Sequence, residues 1–364
     1  MTVDDRIYSC DDHLDLWVLP RDLWEDRLPK HLRERGPRVV QQEAGDWWVA
    51  DGTTLGPSGP KMMGDYSAIT RAGIPDDGFR ASDPALRLQD MERDGIYASV
   101  IYGPSLFGLP IADQELKAAC LVAYNDWAND FNAHDRGRLS VLPVLPTHTV
   151  EAAVAELGRI AKLGHRGVIL SIFELPTRVV DPVWEPLWSA AASLAVPISF
   201  HLGAGTSMLR VAPRSWEMAA FASVAPMQLD EALAAMVFSG ALERNPGMRL
   251  VLAESGIGWL PYLVTRMDLE AQKHVPRAQD YRLRALPSEI FQRQVYATFE
   301  EEPLGPTLIP LLGADKFMWA SDYPHPDSTF PRSREAIAEA FAGLGEEVRR
   351  KVTAENCARL YRFV

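Results

Sequence analysis

The sequence predicts an α/β protein with a (β/α)8, or TIM, barrel that is slightly distorted and carries an insertion after its first strand. Three observations favour this fold class. Short apolar segments of strand type alternate with helical segments, the alternation yields eight strands, and acidic or imidazole side chains directly follow several strands. Strand–helix alternation implies a parallel sheet, and eight units imply closure into a barrel with its chemistry at the carboxyl ends of the strands.

Length and composition agree with one barrel domain over residues 1–364. The chain has 364 residues, which is normal for a barrel with an insertion, and 47% of them are hydrophobic, enough for a large core. An open, doubly wound sheet is the alternative. It is less favoured because no Gly-x-Gly-x-x-Gly motif follows an early strand.

The elements follow from apolar runs and from helix caps. Ser82-Asp83-Pro84, for example, combines capping residues with a proline suited to a first helical turn, so a helix should begin there. Strands are expected over 6–10, 98–102, 139–144, 167–171, 198–201, 249–254, 295–299 and 317–321. Helices are expected between them, over 82–95, 113–135, 150–163, 182–194, 227–244, 260–272 and 304–312.

Residues 38–80 form the predicted insertion, which we expect to lie as a lid over the barrel mouth. It should open with a hairpin whose strands flank Ala44-Gly45-Asp46. Its aromatic and methionine side chains would form one wall of an apolar substrate pocket, or else a small satellite core or a dimer contact. The candidate pocket residues are Trp47, Trp48, Met62, Met63 and Tyr66, with Phe107, Met208 and Trp216 after strand ends.

Charge and cysteine usage exclude several classes of function. The net charge of −12 argues against a nucleic-acid or anionic-membrane surface, which would need clustered Lys and Arg. The three cysteines form no C-x-x-C pair, so neither a disulfide framework nor a thiolate zinc site is indicated. Neither a signal peptide nor a membrane-spanning run is visible, so we expect a soluble, cytoplasmic protein.

Five side chains of metal-ligand type follow the predicted strands. They are Asp11 and His13 after strand one, His201 after strand five, Glu254 after strand six and Asp322 after strand eight. Residues i and i+2 of a strand point to one side, so both members of the Asp-x-His pair can reach one ion. Such mixed ligands suit zinc, manganese or iron. Each residue alone also has an ordinary interpretation, as a turn residue or a hydrogen-bonded rim histidine.

Several of these strand ends carry the signatures of a known family. The chain resembles the amidohydrolase superfamily, and specifically its amidohydrolase-related branch, also called amidohydrolase 2. That branch includes metal-dependent hydrolases and nonoxidative decarboxylases similar to aminocarboxymuconate-semialdehyde and resorcylate decarboxylases. The matching stretches are residues 9–13 (SCDDH), 197–203 (PISFHLG), 250–256 (LVLAESG), 319–325 (WASDYPH) and 355–361 (ENCARLY).

The resemblance implies roles for the strand-end residues. Asp11 and His13 would replace the family's first-strand ligand pair, His201 would be the fifth-strand ligand, and Asp322 would bind metal and exchange a proton. Glu254 stands where many members have a histidine. Two arrangements follow. Either one ion is held by the four other residues with Glu254 outside its ligand sphere, or Glu254 also coordinates and the site holds two ions.

The function expected first is that of a metal-dependent hydrolase. A metal-activated water would attack an ester, lactone, amide or thioester of a sizeable apolar or aromatic substrate, with Asp322 or His325 moving the proton. His325 could equally be a rim residue of a proline-rich turn. The alternative is a nonoxidative decarboxylase of an aromatic or unsaturated carboxylic acid, and a third possibility is a binding protein with an inactive metal site. A homodimer is expected on general grounds.

Overall fold

Eight parallel strands and the helices that connect them make up the framework of the molecule. The computed structural model describes residues 6–43, 45–59, 67–104, 108–210, 215–277 and 283–363. In chain order the strands are β1 (Tyr8–His13), β2 (Arg38–Gln42), β3 (Gly45–Ala50), β4 (Thr53–Pro57), β5 (Ala98–Tyr102), β6 (Leu139–Val141), β7 (Val168–Ile169), β8 (Ile198–His201), β9 (Leu250–Ala253), β10 (Val295–Phe299) and β11 (Phe317–Trp319). All but β2–β4 belong to the parallel framework, and the predicted TIM barrel is confirmed.

The parallel strands form two sheets, in the orders β1-β5-β6 and β11-β10-β9-β8-β7. Backbone hydrogen bonds join these sheets at both edges. On one side the amide of Ile169 donates to Pro143 over 2.8 Å and that of Leu145 donates to Ile169 over 3.0 Å. On the other side the amide of His13 donates to Tyr323 over 2.7 Å. The carboxyl end of β1 therefore lies beside the residues that follow β11.

Helices cover the outside of the strands and begin largely where the sequence predicts. Asp83 caps the second helix, because its carboxylate accepts hydrogen bonds from the amides of Ala85 and Leu86, and Gly95 ends that helix in a left-handed conformation. The helices are α1 (Ala68–Arg71), α2 (Pro84–Asp94), α3 (Gln114–Ala133), α4 (Val150–Leu163), α5 (Glu185–Leu194), α6 (Trp216–Val224), α7 (Asp230–Phe238), α8 (Ala241–Arg244), α9 (Leu260–His274), α10 (Pro287–Gln294), α11 (Gly305–Leu312), α12 (Ser333–Ala340), α13 (Glu346–Arg350) and α14 (Asn356–Leu360). None of the described helices is both long and apolar enough to cross a membrane.

The first part of the insertion is a three-stranded antiparallel sheet, β2-β3-β4. The predicted hairpin is confirmed, since β2 pairs antiparallel with β3. Trp48 of β3 is fully buried, packs edge-on against Trp24 at 5.0 Å, and donates its indole N–H to the carbonyl of Leu16. It therefore belongs to the main hydrophobic core and not to a pocket wall. The pocket predictions for Met62, Met63, Tyr66 and Phe107 lie outside the described residues.

The C-terminal helix closes the end of the barrel opposite the predicted mouth. Tyr361 is fully buried, and its hydroxyl lies 3.4 Å from that of Tyr102 inside the barrel. Four histidines that lie on predicted helices or at their ends, His31, His134, His165 and His274, are expected from the sequence to be surface residues. His165 is only 4% exposed, so this prediction is wrong for it, because the loop after α4 is covered by packing that a local polarity pattern does not reveal. The other three are exposed, as expected.

Candidate metal centre

Five predicted site residues meet at the carboxyl ends of the strands. Nε2 of His13 lies 3.0 Å from Oδ1 of Asp322 and 3.5 Å from Oδ1 of Asp11. Oε2 of Glu254 lies 3.5 Å from Nε2 of His13 and 3.3 Å from Nε2 of His201. The remaining separation, from His201 Nε2 to Asp11 Oδ1, is 3.4 Å. Residues from strands one, five, six and eight of the barrel thus face one another across its mouth.

Asp11 is held by the oxygen that points away from this cluster. Its Oδ2 accepts a hydrogen bond of 2.6 Å from the hydroxyl of Thr298 and one of 2.7 Å from the amide of Glu254. The other oxygen, Oδ1, is left to face the two imidazoles. A carboxylate fixed in this way presents one lone-pair direction to the centre of the cluster.

The neighbouring acid on β1, Asp12, points the other way and is structural. Its carboxylate accepts hydrogen bonds from the hydroxyls of Ser9 (2.6 Å) and Ser321 (2.8 Å) and lies 3.4 Å from the buried guanidinium of Arg87. Because Arg87 also donates to the carbonyl of His13, this network ties β1 to the residues after β11. It fixes the strand that supplies the first two cluster residues.

The ring orientation of His201 is set by the backbone. Its Nδ1 lies 2.8 Å from the carbonyl oxygen of Leu202 and must donate to it, because a carbonyl oxygen only accepts. Nε2 is then the nitrogen with a free lone pair, and it faces the cluster. His13 is fully buried and its ring stacks on that of His325, with centroids 4.0 Å apart.

Two of the acids stand on unusual backbone. Glu254 has φ +50° and Asp322 has φ +61°, in the left-handed region that residues other than glycine seldom adopt. Glu254 directly follows β9, and Asp322 lies in the loop shortly after the end of β11. The turn aims each carboxylate sideways across the barrel mouth. Conformational strain of this kind is concentrated at functional sites.

A chain of hydrogen bonds runs from the cluster to Asp15. Nδ1 of His325 lies 3.0 Å from the carboxylate of Asp322, and Nε2 of the same ring lies 2.8 Å from Oδ2 of Asp15. His325 is therefore no mere rim residue, because both of its nitrogens are bound to buried or nearly buried carboxylates. The ring connects the strand-eight acid to an acid on the segment after β1.

The atoms that face the centre of the cluster have no hydrogen-bond partner. They are Oδ1 of Asp11, Nε2 of His13, Nε2 of His201, Oε2 of Glu254 and Oδ1 of Asp322. Buried polar atoms without partners are costly, so a group of them that converges on one point calls for a bound cation. Groups around one ion at about 2.1 Å lie roughly 3 Å apart, close to the separations observed. These residues fit a divalent metal.

The electrostatics of the cluster favour positive charge. Burial and the His325 ring lower the pKa of His13, but Asp322 and Glu254 outweigh them and raise it to about 10. The pKa of His201 is likewise raised, because Asp11 and Glu254 outweigh burial. Burial raises the pKa of Asp11, yet the two imidazoles and Thr298 outweigh it and leave the pKa lowered. A bound metal ion would supply the positive charge that these carboxylates stabilise.

Three further residues lie at the site and are not among those that the sequence predicts: Asp15, Thr298 and Glu300. Asp15 continues the alternation of Asp11 and His13, and that i+2 spacing was a usable signal. Thr298 lies on β10, the seventh barrel strand, and Glu300 directly follows the last residue of that strand. Oε1 of Glu300 is buried without a partner, and burial, together with Asp322 and Glu254, raises the pKa of this carboxyl well above its usual value.

A cleft adjoins the cluster on the side of His201. It has a volume of about 420 Å³, and Tyr102, Ile169 and Phe173 line it together with His201. Two predicted pocket residues lie elsewhere: Met208 is 90% exposed and Trp216 is 73% exposed. Their side chains point to solvent, so they form no wall of an enclosed cavity.

Comparison with known proteins places the chain in a family. A family model described as amidohydrolase matches residues 10–363. The chain belongs to the amidohydrolase family. Among curated proteins, this amidohydrolase is 26% identical to the gamma-resorcylate decarboxylase of Rhodococcus jostii (strain RHA1) over 334 residues, which are 85% of the chain and 95% of that protein. It is also 26% identical to the 2-amino-3-carboxymuconate-6-semialdehyde decarboxylase of Dictyostelium discoideum, over 67% of each chain.

Solved structures share the fold of this amidohydrolase. An amidohydrolase from Mycobacterium avium subsp. paratuberculosis K-10 superposes with a TM-score of 0.77 and 21% identity, over 98% of this chain and 99% of that one. A dihydroxybenzoic acid decarboxylase from Polaromonas sp. JS666, with bound manganese and the inhibitor 2-nitroresorcinol, superposes with a TM-score of 0.66 and 17% identity, over 98% and 97%.

These similarities correct the expected reaction. The prediction of a hydrolase is wrong, because both curated relatives are decarboxylases. The sequence favoured hydrolysis on the strength of Glu254 in place of a histidine. That substitution adds a carboxylate to the cluster but does not distinguish the reactions, since both use metal held by the same strand ends.

Proposed function

We propose that this amidohydrolase-family protein is a metal-dependent, nonoxidative decarboxylase of an aromatic or unsaturated carboxylic acid. The observation that carries the proposal is the convergence of five partnerless ligand atoms in a chain whose curated relatives are decarboxylases. The cleft beside His201, lined also by Tyr102, Ile169 and Phe173, adjoins the cluster and is where we place the substrate. An ortho-hydroxylated benzoic acid, as in the name of one relative, is the first substrate class to test.

The proposed ligand set comprises Asp11, His13, His201, Glu254 and Asp322 around a single ion. The inward atoms fall into two overlapping groups, one of Asp11, His13 and His201 and one that adds Glu254 and Asp322 around the same His13. Because the two groups share His13, a single ion is the arrangement that we propose. Three carboxylates with two imidazoles favour manganese over zinc, because oxygen-rich sites suit the harder ion. Manganese is also bound in the dihydroxybenzoic acid decarboxylase described above.

In this proposal the metal supplies the positive charge that holds the substrate's carboxylate and an adjacent oxygen. The chain's own residues do the rest. Thr298 and the amide of Glu254 fix Asp11, the carbonyl of Leu202 fixes the ring of His201, and Asp12 with Arg87 fixes β1. Such preorganised groups lower the barrier because little rearrangement remains at the moment of reaction.

The proton needed for decarboxylation comes, in this proposal, through Asp322 and His325. Loss of carbon dioxide leaves the carbon–carbon electron pair on the substrate, and a proton must reach that carbon. Oδ1 of Asp322 faces the cluster, while Nδ1 of His325 lies 3.0 Å from the same carboxylate and can reload it. Asp15, at 2.8 Å from Nε2, holds the ring in that position.

The test is release of carbon dioxide by the manganese-loaded protein from a panel of ortho-hydroxybenzoic acids and muconate-type acids. Asp322→Asn should reduce the rate by about 10²- to 10⁴-fold, the usual contribution of general acid–base catalysis, while the circular dichroism spectrum stays unchanged. Asp327→Asn is the matched control, because Asp327 is exposed on the same loop.

Two outcomes would overturn the proposal. If the loaded protein hydrolysed esters or amides but released no carbon dioxide from any acid of the panel, the reaction would be wrong. Metal analysis that returned two equivalents per chain would instead remove the single-ion arrangement. The homodimer expected from the sequence stays a prediction, which sedimentation analysis would test.

A further inference from the structure

Two adjacent cavities lie at the end of the barrel opposite the metal centre. The two cavities are open to solvent and share Gly164, His165 and Arg166 in their walls. His165 stands just before β7, Leu139 begins β6, and Val196 precedes β8 by two residues. The cavities therefore open at the amino ends of these strands, remote from the carboxyl ends where the cluster lies.

The side chain of His165 has no hydrogen-bond partner there. The residue is only 4% exposed, lines both cavities, and neither Nδ1 nor Nε2 has a partner in hydrogen-bonding geometry. Burial lowers the pKa of this imidazole to about 4, Arg136 and Arg159 act in the same direction, and the Val141 carbonyl and Glu156 oppose them. Since the Val141 carbonyl can engage only one of the two nitrogens, at least one nitrogen of this buried imidazole is left to face a ligand or a polar partner.

Three arginines surround the same space without acidic partners. Arg136 lines the smaller cavity, Arg362 the larger one, and Arg166 both. Among the described residues none of the three forms an ion pair, whereas the nearby Arg138 and Arg159 pair with Glu92 and Asp126. Burial lowers the pKa of the Arg166 guanidinium, Arg362 and Arg136 lower it further, and Cys357 opposes them.

The arginines keep donors available for a ligand. Two nitrogens of Arg166 donate to backbone carbonyls, those of Tyr361 at 2.9 Å, of Arg136 at 2.7 Å and of Arg362, and these bonds fix its position. Arg362 makes one hydrogen bond of 3.3 Å to Ala195, and Arg136 makes one of 2.9 Å to Asn129. With five N–H donors in each guanidinium, most donors of the two outer arginines are free.

We propose that these cavities bind a phosphate-type oxyanion, either inorganic phosphate or the phosphoryl group of a small metabolite. Arg136 and Arg362 are exposed and Arg166 is half-buried, and the positive charges of the first two act unfavourably on Arg166. An anion bound beside His165 would offset that repulsion. Guanidinium groups match phosphate oxygens in pairs, and a tetrahedral oxyanion offers more acceptors than a carboxylate for several arginines and an imidazole. The site is independent of the proposed decarboxylase activity.

Calorimetric titration of the metal-loaded protein with inorganic phosphate tests the site. One anion should bind per chain, and Arg362→Gln and Arg136→Gln should each weaken binding by about tenfold, the value of one charge-assisted hydrogen bond. Arg178→Gln removes the same charge from an arginine that is 82% exposed and distant from these cavities, and its binding should equal that of the wild type. Glycerol 3-phosphate in a parallel titration distinguishes a phosphoryl group from the free ion by its relative affinity.

A site-specific probe separates this site from the metal centre, which also attracts anions. In NMR spectra the pKa of the His165 imidazole should rise when phosphate is added, because the anion stabilises the imidazolium. Absence of saturable binding would overturn the proposal. So would binding that remains unchanged in both Arg136→Gln and Arg362→Gln, because the phosphate would then sit elsewhere.

Discussion

The hydroxyl of Thr298 donates a hydrogen bond of 2.6 Å to Oδ2 of Asp11, so strand seven of the barrel fixes a carboxylate of strand one. Thr298→Val removes this bond and leaves Oδ2 with the amide of Glu254 alone. We expect manganese affinity to fall by about tenfold, at the low end of the effect of such supporting contacts. Competition with a chelator measures the affinity.

Thr307→Val is the matched control, since Thr307 is exposed and its hydroxyl bonds only a carbonyl of its own helix. Equal metal affinities for the two variants would mean that the orientation of Asp11 does not depend on Thr298.

Asp15 is expected to act by positioning His325. Asp15→Asn weakens the 2.8 Å contact to Nε2 and frees the ring to leave Asp322. We expect kcat to fall about tenfold while KM and the metal content stay near those of the wild type, because no proposed ligand is changed. Steady-state kinetics and metal analysis check this split. Asp22→Asn, at an exposed position of the following segment, is the control. A rise in KM with unchanged kcat would contradict the positioning role.

Metal removal should destabilise the fold. Three buried or half-buried carboxylates lose their cation, and any ligand that binds only the folded state adds to its stability by mass action. We expect the Tm to fall by several degrees on dialysis against a chelator and to recover on addition of manganese, as followed by scanning fluorimetry. Glu254→Gln should reduce the difference between the two Tm values. Identical Tm values with and without metal in the wild type would argue against the site.

Asp94 should give the stability a distinct pH dependence. Burial raises its pKa to about 6, although Ser333 donates both its amide and its hydroxyl to the carboxylate. The folded chain thus binds this proton more tightly than the unfolded chain, whose value is 3.8. The stabilisation is complete below pH 3.8 and is lost as the pH rises through about 6, which amounts to about 3 kcal/mol.

Asp94→Asn removes this proton-linked difference. The free energy of unfolding of the wild type minus that of the variant should therefore decrease by about 3 kcal/mol between roughly pH 4 and pH 7, as measured by denaturant titration. Asp26→Asn, at a side chain that is 98% exposed, should give no such slope. Parallel pH profiles for the wild type and Asp94→Asn would refute the shift.

Much of the fold and the core of the site follow from local patterns. Asp11 and His13 were predictable because a strand repeats every two residues, and His201, Glu254 and Asp322 because parallel strands bring their carboxyl ends to one mouth. Asp15 lies two residues after His13 and so continues the same alternation.

Other features depend on tertiary structure. The role of Thr298 depends on its contact with Asp11, which lies on a strand two positions away in the barrel but far away in sequence. His165 is buried by loops and the C-terminal residues, which no local periodicity reveals. The ligand residues alone do not predict the reaction, because Glu254 is compatible with a hydrolase and with a decarboxylase. Only the resemblance of the whole chain separated the two.

The neighbourhood of Asp11 and Asp322 has a consequence for how the protein is made. These residues come from opposite ends of the chain, yet the amide of Asp322 donates to the carbonyl of Asp11 over 3.0 Å. Contacts between such distant segments form late and slowly during folding. During synthesis, the acid and the imidazole of the first strand therefore stay unpaired until the segment that carries Asp322 has left the ribosome. Metal capture is then expected to be among the last steps of maturation.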